Sequence, residues 1–483
     1  MLLLFSVLWV LTVSLSGCHN SVEPTNPKKT PVTMGGGQAV NAEADKSQSA
    51  LPGRHEVCDN DDALDLCLER LFKKFNVAPV RLADFSTHSA AKVALGKSLF
   101  FDKVLSGNND IACASCHHPL GHTSDNLSLP AGTLGHGMVQ YRRVPEFVRV
   151  TPRHAPSLYN LGHNEFSQMF WDGRVAKSEV RDHFKTPAAE KILPGLENVL
   201  AAQAMFPPTS PVEMRGLRGE NLIANEVELP RVWSLLTRKV MSIAAYQQMF
   251  LAAYPSKNLD EFTFVDIANA LAAFESTAFR SIESPFDKYV AGDSFALTLE
   301  QKKGAKLFYG KANCASCHSG IFQTDHKYYG IGSPQFGPGK GDGERGDEDY
   351  GRFKVTKDPS DMLKFKTPAL RNVELTAPFG HTGAFADLES IVRHKLGVKK
   401  SLQSHWDYEK LSLPIDGVDA MFAPFEDAKS LEKLVEANDL TDIALDEMEI
   451  KALVAFLKSL TDANMIDMTD MIPDSVPSGL QVP

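Results

Sequence analysis

The sequence predicts a mostly α-helical protein whose folded part consists of two tandem domains of the same kind. At 483 residues the chain is longer than one hydrophobic core ordinarily serves, so roughly two or three domains are expected. The pentapeptide CASCH occurs twice, at residues 113–117 and 314–318. Stretches with helical periodicity, such as VDIANALAAFESTAF and MEIKALVAFLKSL, are frequent, and strand signals are few.

The N-terminus has the composition of an export signal. Residues 1–17 form an apolar segment that ends in small residues, and residues 15–18 (LSGC) resemble a bacterial lipobox. We therefore expect a lipoprotein signal peptide at 1–17 and lipidation at Cys18, with plain secretion as the alternative. Residues 18–55 are rich in Pro, Gly, Ser, Asn and charge, which predicts a flexible linker.

Two further cysteines and the net charge limit the possible partners. Cys58 and Cys67 lie close together outside the other motifs, and in an exported protein a disulfide between them is favoured over free thiols. The formal net charge of −10 disfavours nucleic acid and anionic surfaces, and favours a basic partner if electrostatics steers docking.

CASCH contains the C-x-x-C-H signal for covalent attachment of haem c. Two thiols form thioethers to the haem, and the adjacent histidine becomes the proximal iron ligand. A redox dithiol is the less favoured alternative, as is a zinc site, because no spaced partner completes a tetrahedral set. The predicted attachment residues are Cys113, Cys116, Cys314 and Cys317, and the predicted proximal ligands are His117 and His318.

The similarity of the two halves extends beyond the pentapeptide. GKSLFF, which begins at Gly96, precedes the first motif, and GAKLFY, which begins at Gly304, precedes the second. Both segments are typical of a short amphipathic helix whose apolar face packs on the haem. We therefore predict an N-terminal haem domain at 56–260, a C-terminal haem domain at 261–465 and a tail at 466–483.

One histidine after the first motif stands out. His136 lies in LGHG between two glycines, where the backbone is free enough to swing a ligand onto and off an iron. An ordinary loop histidine is the alternative.

The motifs, in their order along the chain, resemble the bacterial dihaem cytochrome c peroxidase family, which includes the MauG type. The resemblance spans most of positions 90–395 and rests on LGKSLFFDKVLSG, APSLYNL, FWDGR, SPVEM and FKTPALRNVELTAPFGHTG. It implies that the N-terminal haem reacts with hydrogen peroxide and that the C-terminal haem relays electrons to it. It also implies an external donor, such as a small cytochrome c or a cupredoxin.

The resemblance assigns site residues by position. Glu213 matches the family's distal acid–base glutamate, and Trp171 matches the tryptophan between the haems. Gln203 matches the distal glutamine, because its spacing to Glu213 is the family's. An insertion, HFKTPAAEKILPGLENVLAAQ, follows FWDGR, and a register without it would place Arg181 at the glutamine position. His136 matches the loop histidine that caps the peroxidatic iron until the other haem is reduced.

The second ligand of the C-terminal haem is left open by the sequence. Family peroxidases carry Met fourteen residues after the His of FGHTG, and MauG-type members carry Tyr there, whereas this chain has Lys395 with His394 beside it. A lysine must be neutral to bind iron, and imidazole is the commoner haem ligand. Lys395, His394, another residue or no ligand are the alternatives.

A calcium ion between the domains is a family feature that this chain matches only in part. Thr376 and Pro378 occupy two of its contact positions, but His154 stands where the family has an asparagine. Calcium is therefore a weaker expectation than the two haems.

The sequence is compatible with three functions. The leading hypothesis is a periplasmic, lipid-anchored peroxidase that reduces hydrogen peroxide with electrons from a protein donor. The second is a MauG-like oxidase that uses peroxide to oxidise a partner protein, and the third is a dihaem electron carrier without turnover. Glu213 and Gln203 disfavour the carrier. No nucleic-acid partner is expected, membrane contact is expected only through the lipid, and a homodimer is an open alternative.

Overall fold

The computed structural model describes residues 64–180, 183–404, 408–416 and 419–483. These residues belong to one compact unit, His55–Pro483. The predicted signal segment, the linker, Cys18, Cys58 and Arg181 lie outside the described residues. Cys67 is disulfide-bonded, and its pairing with Cys58 stays a prediction. Across the described ranges, no helix has the length and apolar character needed to span a membrane.

The described part of the chain is mostly helical, which confirms the predicted fold class. The helices are α1 (Leu64–Lys74), α2 (Ala90–Phe101), α3 (Cys113–Cys116), α4 (Val199–Ala204), α5 (Leu229–Met241), α6 (Ala244–Ala253), α7 (Phe264–Ala278), α8 (Pro285–Val290), α9 (Leu299–Tyr309), α10 (Phe353–Thr356), α11 (Leu388–Leu396), α12 (Val398–Leu402), α13 (Ala423–Glu426), α14 (Ala428–Glu436) and α15 (Glu447–Lys458). The strands are β1 (Gln168–Met169), β2 (Val175–Lys177), β3 (Phe184–Lys185), β4 (Tyr328–Tyr329) and β5 (Phe365–Lys366). They form two small antiparallel sheets, β1-β2-β3 and β4-β5.

The helices next to the CASCH motifs start at capping residues. The Ser89 side chain accepts a hydrogen bond from the first turn of α2, and Thr298 does the same for α9. Thr263 and Asp446 begin α7 and α15 with reciprocal capping boxes. Each cap satisfies backbone N–H groups that the first helical turn leaves without partners. The capping residues therefore mark where α2, α7, α9 and α15 begin.

A close helix crossing at glycine occurs once in each domain. A Cβ on Gly96 of α2 would lie 1.9 Å from the carbonyl oxygen of Ala270 in α7. A Cβ on Gly304 of α9 would lie 1.9 Å from the carbonyl oxygen of Ala452 in α15. The glycine that precedes both CASCH motifs is therefore the contact point of the same helix pair in the two domains. This equivalence confirms the predicted tandem of cytochrome c-like domains.

We expect alanine at either crossing to destabilise the holoprotein by about 1–3 kcal/mol or more, because a new Cβ forces the helix backbones apart. Gly397→Ala is the matched control, because its backbone is extended at φ −163 and nothing lies within 4 Å of a Cβ there. Thermal unfolding followed by far-ultraviolet circular dichroism measures the difference. Equal midpoints for Gly96→Ala, Gly304→Ala and Gly397→Ala would contradict the crossing.

Packing divides the chain differently from the predicted boundaries at 260 and 466. Helix α7 packs on α2, so the first domain's core continues beyond residue 260. Helix α1 packs on α9 of the second domain, where the rings of Phe72 and Tyr309 are 5.2 Å apart. The C-terminal tail returns to the first domain, where Ser478 Oγ donates to Asp102 at 2.7 Å. The N-terminal helix of the described chain therefore packs on the second domain, and the C-terminal tail packs on the first.

The insertion after FWDGR folds onto the first domain. Its beginning forms β3, which pairs with β2, and its end forms α4, which packs on α7. Asn198 caps α4 by accepting from the backbone N–H of Ala201 at 2.9 Å. Gln203 lies in the last turn of this helix.

A mixed apolar cluster joins the two domains. Leu127 and Leu129 from the loop after the first motif pack in one cluster with Phe336, Phe385 and Met421 of the second domain. These side chains are all buried. The interface between the domains therefore has a hydrophobic core of its own, which holds the two haem-binding regions in a defined arrangement.

Candidate dihaem site

The first CASCH motif presents its histidine for iron coordination. Cys113–Cys116 forms the single turn of α3, and Ser115 Oγ accepts from the backbone N–H of Ala112 at 3.0 Å. His117 Nδ1 donates to the carbonyl oxygen of Thr123 at 2.8 Å, which leaves Nε2 free for a metal. Burial lowers the pKa of His117, which favours the neutral ring that iron coordination requires.

The second motif repeats this arrangement. His318 Nδ1 donates to the carbonyl oxygen of Gln323 at 2.9 Å, so Nε2 is again the available nitrogen. Burial, and then the nearby Lys395, lower the pKa of His318 to about 4. The proximal sides of the two sites are therefore chemically equivalent, and any functional difference between them arises on the opposite side of each haem.

The residues of both motifs fit covalent haem. All four CASCH cysteines are free thiols, and three of them, Cys113, Cys116 and Cys314, line the edges of the two apolar clusters. Each motif thus offers two thiols and one unprotonated imidazole nitrogen next to apolar side chains, which is the donor set of a c-type haem. Within the described ranges, no group of three or more His, Cys, Asp or Glu side chains could hold a separate metal ion.

Glu213 lies beside the first motif. It is held on a short π-helical turn, Pro211–Arg215, whose first N–H groups are capped by Ser210. The next residue after Glu213, Met214, packs in the same apolar cluster as Cys113 and Cys116. Burial, and then the Asp125 carboxylate, raise the pKa of the Cys116 thiol to about 12; Arg142 opposes this, and Glu213 adds a smaller increase. Its side chain is partly buried and has no hydrogen-bond partner among the described residues.

Two backbone hydrogen bonds fix the turn that carries Glu213. Gly107 N donates to the carbonyl oxygen of Met214 at 2.8 Å, and Thr133 N donates to that of Val212 at 2.8 Å. Both donors belong to the segments on either side of the first CASCH motif. The backbone of the turn that carries Glu213 is therefore held between the two segments that flank the first motif.

Gln203 and His136, which are also predicted for the peroxide-binding side of the first haem, have fewer side-chain contacts that fix their positions. Gln203 is partly buried at the end of α4, and its side chain has no hydrogen-bond partner in the described part of the chain. His136 is exposed, and its backbone pairs with Arg143 through hydrogen bonds of 2.9 and 2.8 Å. The iron-capping role of His136 and the orienting role of Gln203 remain predictions.

Trp171 connects the two domains. Its indole Nε1 donates to the carbonyl oxygen of His154 at 3.0 Å. Its own carbonyl oxygen accepts from the backbone N–H of Lys366, in the second domain, at 2.8 Å. The tryptophan therefore has a fixed orientation at the domain interface.

A buried arginine holds the segment that carries Trp171 and was not found from the sequence. Arg153 donates to Asp172 at 2.6 Å and to both oxygens of Asp349 at 2.6 and 2.8 Å. All three side chains are less than a tenth exposed. Burial alone would raise the pKa of each carboxyl, but Arg153 outweighs it and holds the pKa of Asp172 and Asp349 below the ordinary value. We call these three residues the Arg153 clamp. They tie FWDGR to the glycine-rich segment GDGERGDEDYG, residues 341–351, of the second domain.

The two candidate ligands for the second haem have different surroundings. Both ring nitrogens of His394 are occupied: Nδ1 lies 2.9 Å from Ser401 Oγ and Nε2 lies 2.8 Å from the carbonyl oxygen of Ile331. Lys395 is partly buried and acts electrostatically on His318. The structure therefore separates two neighbours that the sequence could not distinguish.

The predicted calcium contacts lie close together in the chain after β5. Thr376 Oγ1 donates to the carbonyl oxygen of Val373 at 3.3 Å, and the carbonyl oxygen of His154 accepts from Trp171. Neither observation tests calcium binding, which remains a prediction for Thr376 and Pro378.

Two covalent haem sites, one in each of two tandem helical domains, define a dihaem c-type cytochrome. Comparison with known families identifies which kind it is. The profile of the family described as "Di-haem cytochrome c peroxidase" matches residues 90–295. The chain belongs to this family. It is an oxidoreductase that carries two c-type haems.

Individual relatives support this assignment. The cytochrome-c peroxidase IdrP1 of Pseudomonas sp. (strain SCT) is 31% identical over 336 residues, covering 65% of this chain and 74% of the relative. The methylamine utilization protein MauG of Methylorubrum extorquens is 30% identical over 305 residues, covering 63% of this chain and 68% of the relative. A solved MauG-like protein associated with microbial copper homeostasis superposes with a TM-score of 0.54 at 25% identity, covering 83% of this chain and 97% of the other.

Proposed function

We propose that the protein reduces hydrogen peroxide to water at the His117 haem, with two electrons from an external protein donor that enter at the His318 haem. The observation that carries this proposal is the asymmetry of the two sites. Glu213, a partly buried carboxylate without a hydrogen-bond partner in the described chain, acts on Cys116 of the first motif. Near the second motif the neighbouring carboxylate, Asp325, already accepts a hydrogen bond from the Tyr329 hydroxyl, and the neighbour without a partner in the described chain is a lysine, Lys395.

The proposed reaction consumes one peroxide, two electrons and two protons and releases two water molecules. A haem held by Cys113, Cys116 and His117 would supply an iron for peroxide binding and the electrons for its reduction. Glu213 accepts the proton of the oxygen nearer the iron and returns it to the departing oxygen, which leaves as water. Gln203 orients the peroxide from the end of α4. The backbone hydrogen bonds of its turn hold Glu213 in the segment next to the first motif, which favours this proton transfer.

The remaining residues provide the electron path and its entry. Trp171 offers an oxidisable indole at the domain interface, oriented by His154 and backed by the Arg153 clamp. The net charge of −10 favours a basic donor, such as a small cytochrome c or a cupredoxin. Localisation in the periplasm through lipidated Cys18 and a calcium ion at Thr376 and Pro378 belong to the same proposal.

A second candidate function is a MauG-like oxidation of a partner protein by peroxide. The observation that favours it is the lysine at the position where the family's peroxidases carry methionine. Nitrogen ligation lowers the potential of a haem relative to methionine ligation, which makes it a poorer acceptor of electrons from a small cytochrome.

Peroxide consumption by the purified holoprotein in the presence of reduced cytochrome c tests the proposal. We expect two molecules of cytochrome c to be oxidised for each peroxide consumed. Consumption without oxidation of any donor, accompanied by oxidation of an added protein, would favour the MauG-like function. No peroxide consumption at any oxidation state would contradict both functions.

Trp171→Phe should slow electron transfer between the haems, because phenylalanine is much harder to oxidise than indole and lacks the bond to His154. Stopped-flow mixing of peroxide with the fully reduced holoprotein measures this step as oxidation of the second haem. Trp233→Phe is the control, since Trp233 is buried elsewhere in the first domain and donates to Met205. Equal rates for both variants would remove Trp171 from the electron path.

A further inference from the structure

The histidine next to the second haem site is not available as a ligand. His394 is almost fully buried, and Nε2 donates to the carbonyl oxygen of Ile331 while Nδ1 accepts from Ser401 Oγ. Its ring also packs against Phe385 at 4.6 Å between centroids. Ligation through either nitrogen would break one of these hydrogen bonds in a buried place, at a cost of about 1–3 kcal/mol. His394 is therefore a satisfied core residue.

Lys395 lies on the inward face of α11. Leu388 and Val392 are buried in the second domain's apolar cluster, and Lys395 follows them at the helical spacing i, i+4, i+7. The outward face carries Glu389 and Arg393, which form an ion pair with each other at 2.7 Å and are substantially exposed. A lysine on the apolar face is unusual, because its charge loses hydration there unless a partner compensates.

No protein group compensates the Lys395 amine in the described residues. It forms no hydrogen bond and no ion pair there. Its electrostatic neighbours are the haem-attachment residues themselves: it acts on Cys314, Cys317 and His318. Burial lowers the pKa of Lys395, which favours the neutral amine.

The other ligand-type side chain near this motif is already engaged. Tyr329 acts on Cys317, but its hydroxyl donates to Asp325 at 2.7 Å. Its phenol would have to give up this bond to reach an iron. Lys395 is thus a ligand-type group without a partner in the described chain, on the face of α11 that packs in the apolar cluster with Cys314.

We propose that Lys395 Nζ is the sixth ligand of the second haem iron, opposite His318. The amine binds in its neutral form through its lone pair, and the proton it loses on binding passes to solvent. The inference deepens the proposed relay role of the second haem, but it rests only on the two attached haems and not on peroxide turnover. A histidine–lysine haem has a lower potential than the histidine–methionine haem of the family's peroxidases.

Electron paramagnetic resonance and near-infrared magnetic circular dichroism of the fully oxidised holoprotein test this ligation. Both signals depend on the axial ligands of a low-spin haem and are recorded without peroxide. In Lys395→Met we expect the charge-transfer band of the second haem to shift to the position of histidine–methionine ligation, and its midpoint potential to rise. In Lys395→Ala we expect a new high-spin or water-ligated haem. The signals of the first haem should stay unchanged in both variants.

Lys399→Met is the matched control, since Lys399 is exposed on the following helix, α12. It should leave both haem spectra as in the parent protein. Unchanged second-haem spectra in both Lys395→Met and Lys395→Ala would overturn the inference. Peroxide reduction by the parent protein is measured separately, so unchanged second-haem spectra would not contradict the proposed function. Conversely, a parent protein that does not reduce peroxide would not contradict the ligand assignment.

Discussion

Glu213→Gln is expected to lower the rate of peroxide reduction by about 10²–10⁴-fold. Glutamine preserves the size and hydrogen-bonding capacity of the side chain, but its amide cannot accept a proton and return it within one reaction. Glu213 is on a turn fixed by Gly107 and Thr133, and its neighbour Met214 packs in one cluster with Cys116, so the substitution removes proton transfer without moving the backbone. Single-turnover stopped-flow of the holoprotein with peroxide measures the loss directly.

A control distinguishes this effect from a general loss of negative charge. Glu228 is exposed and pairs with Lys191 at 2.6 Å. Glu228→Gln should retain the parent rate, and both variants should bind two haems. A Glu213→Gln protein that reduces peroxide at the parent rate would remove Glu213 from the mechanism.

Arg153→Met is expected to destabilise the holoprotein by about 3–5 kcal/mol, because it leaves the buried Asp349 carboxylate without its cation and Asp172 with Arg174 alone. Asp172 and Asp349 each have an exposed fraction of only 4% in their side chains, so water cannot replace the arginine. The same change should slow electron transfer between the haems, since the clamp ties the turn that carries Trp171 to the second domain. Thermal unfolding and stopped-flow oxidation of the second haem measure the two effects.

The stability effect of the Arg153 clamp has a defined pH dependence. The pKa values of Asp172 and Asp349 are lowered in the folded protein, so the clamp contributes fully above the ordinary carboxyl pKa of about 4. Its contribution is lost progressively as the pH falls below that value. The difference in thermal midpoint between parent and Arg153→Met should therefore be large at neutral pH and smaller near pH 3.

Arg393→Ala is the comparison for an exposed ion pair. Arg393 pairs with Glu389 and Glu447, and the three side chains are 40%, 49% and 69% exposed. Its loss should cost less than about 1 kcal/mol, because water solvates the separated charges. Equal destabilisation by Arg153→Met and Arg393→Ala would contradict the role of the clamp.

The sequence was sufficient for features that are local in the chain. The CASCH motif contains its own two thiols and its imidazole, and the repeated segments that begin at Gly96 and Gly304 predict the helix before each copy. The helix crossing at these glycines, where a Cβ would lie 1.9 Å from a carbonyl oxygen, was found only in the structure. Glu213 could be assigned because its motif resembles that of a known family. These features follow from residue type and spacing, which the sequence displays directly.

Features that depend on tertiary contacts could not be read from the sequence. Arg153 and Asp349 are nearly two hundred positions apart, and neither lies in a motif that suggests a partner. The exchange of α1 and the C-terminal tail between the domains also has no local signal. His394 and Lys395 are adjacent in the sequence, and only the hydrogen bonds of His394 to Ile331 and Ser401 separate a packed histidine from an available amine.

The most direct test of the division of labour between the haems is rapid-freeze electron paramagnetic resonance after peroxide is added to the half-reduced holoprotein. The Lys395→Met variant identifies which signal belongs to the second haem. Our account predicts that peroxide alters the first haem's signal at once, and that the second haem then becomes oxidised as it delivers its electron. A peroxide-induced change confined to the second haem, with the signal of the His117 haem unaltered, would contradict it.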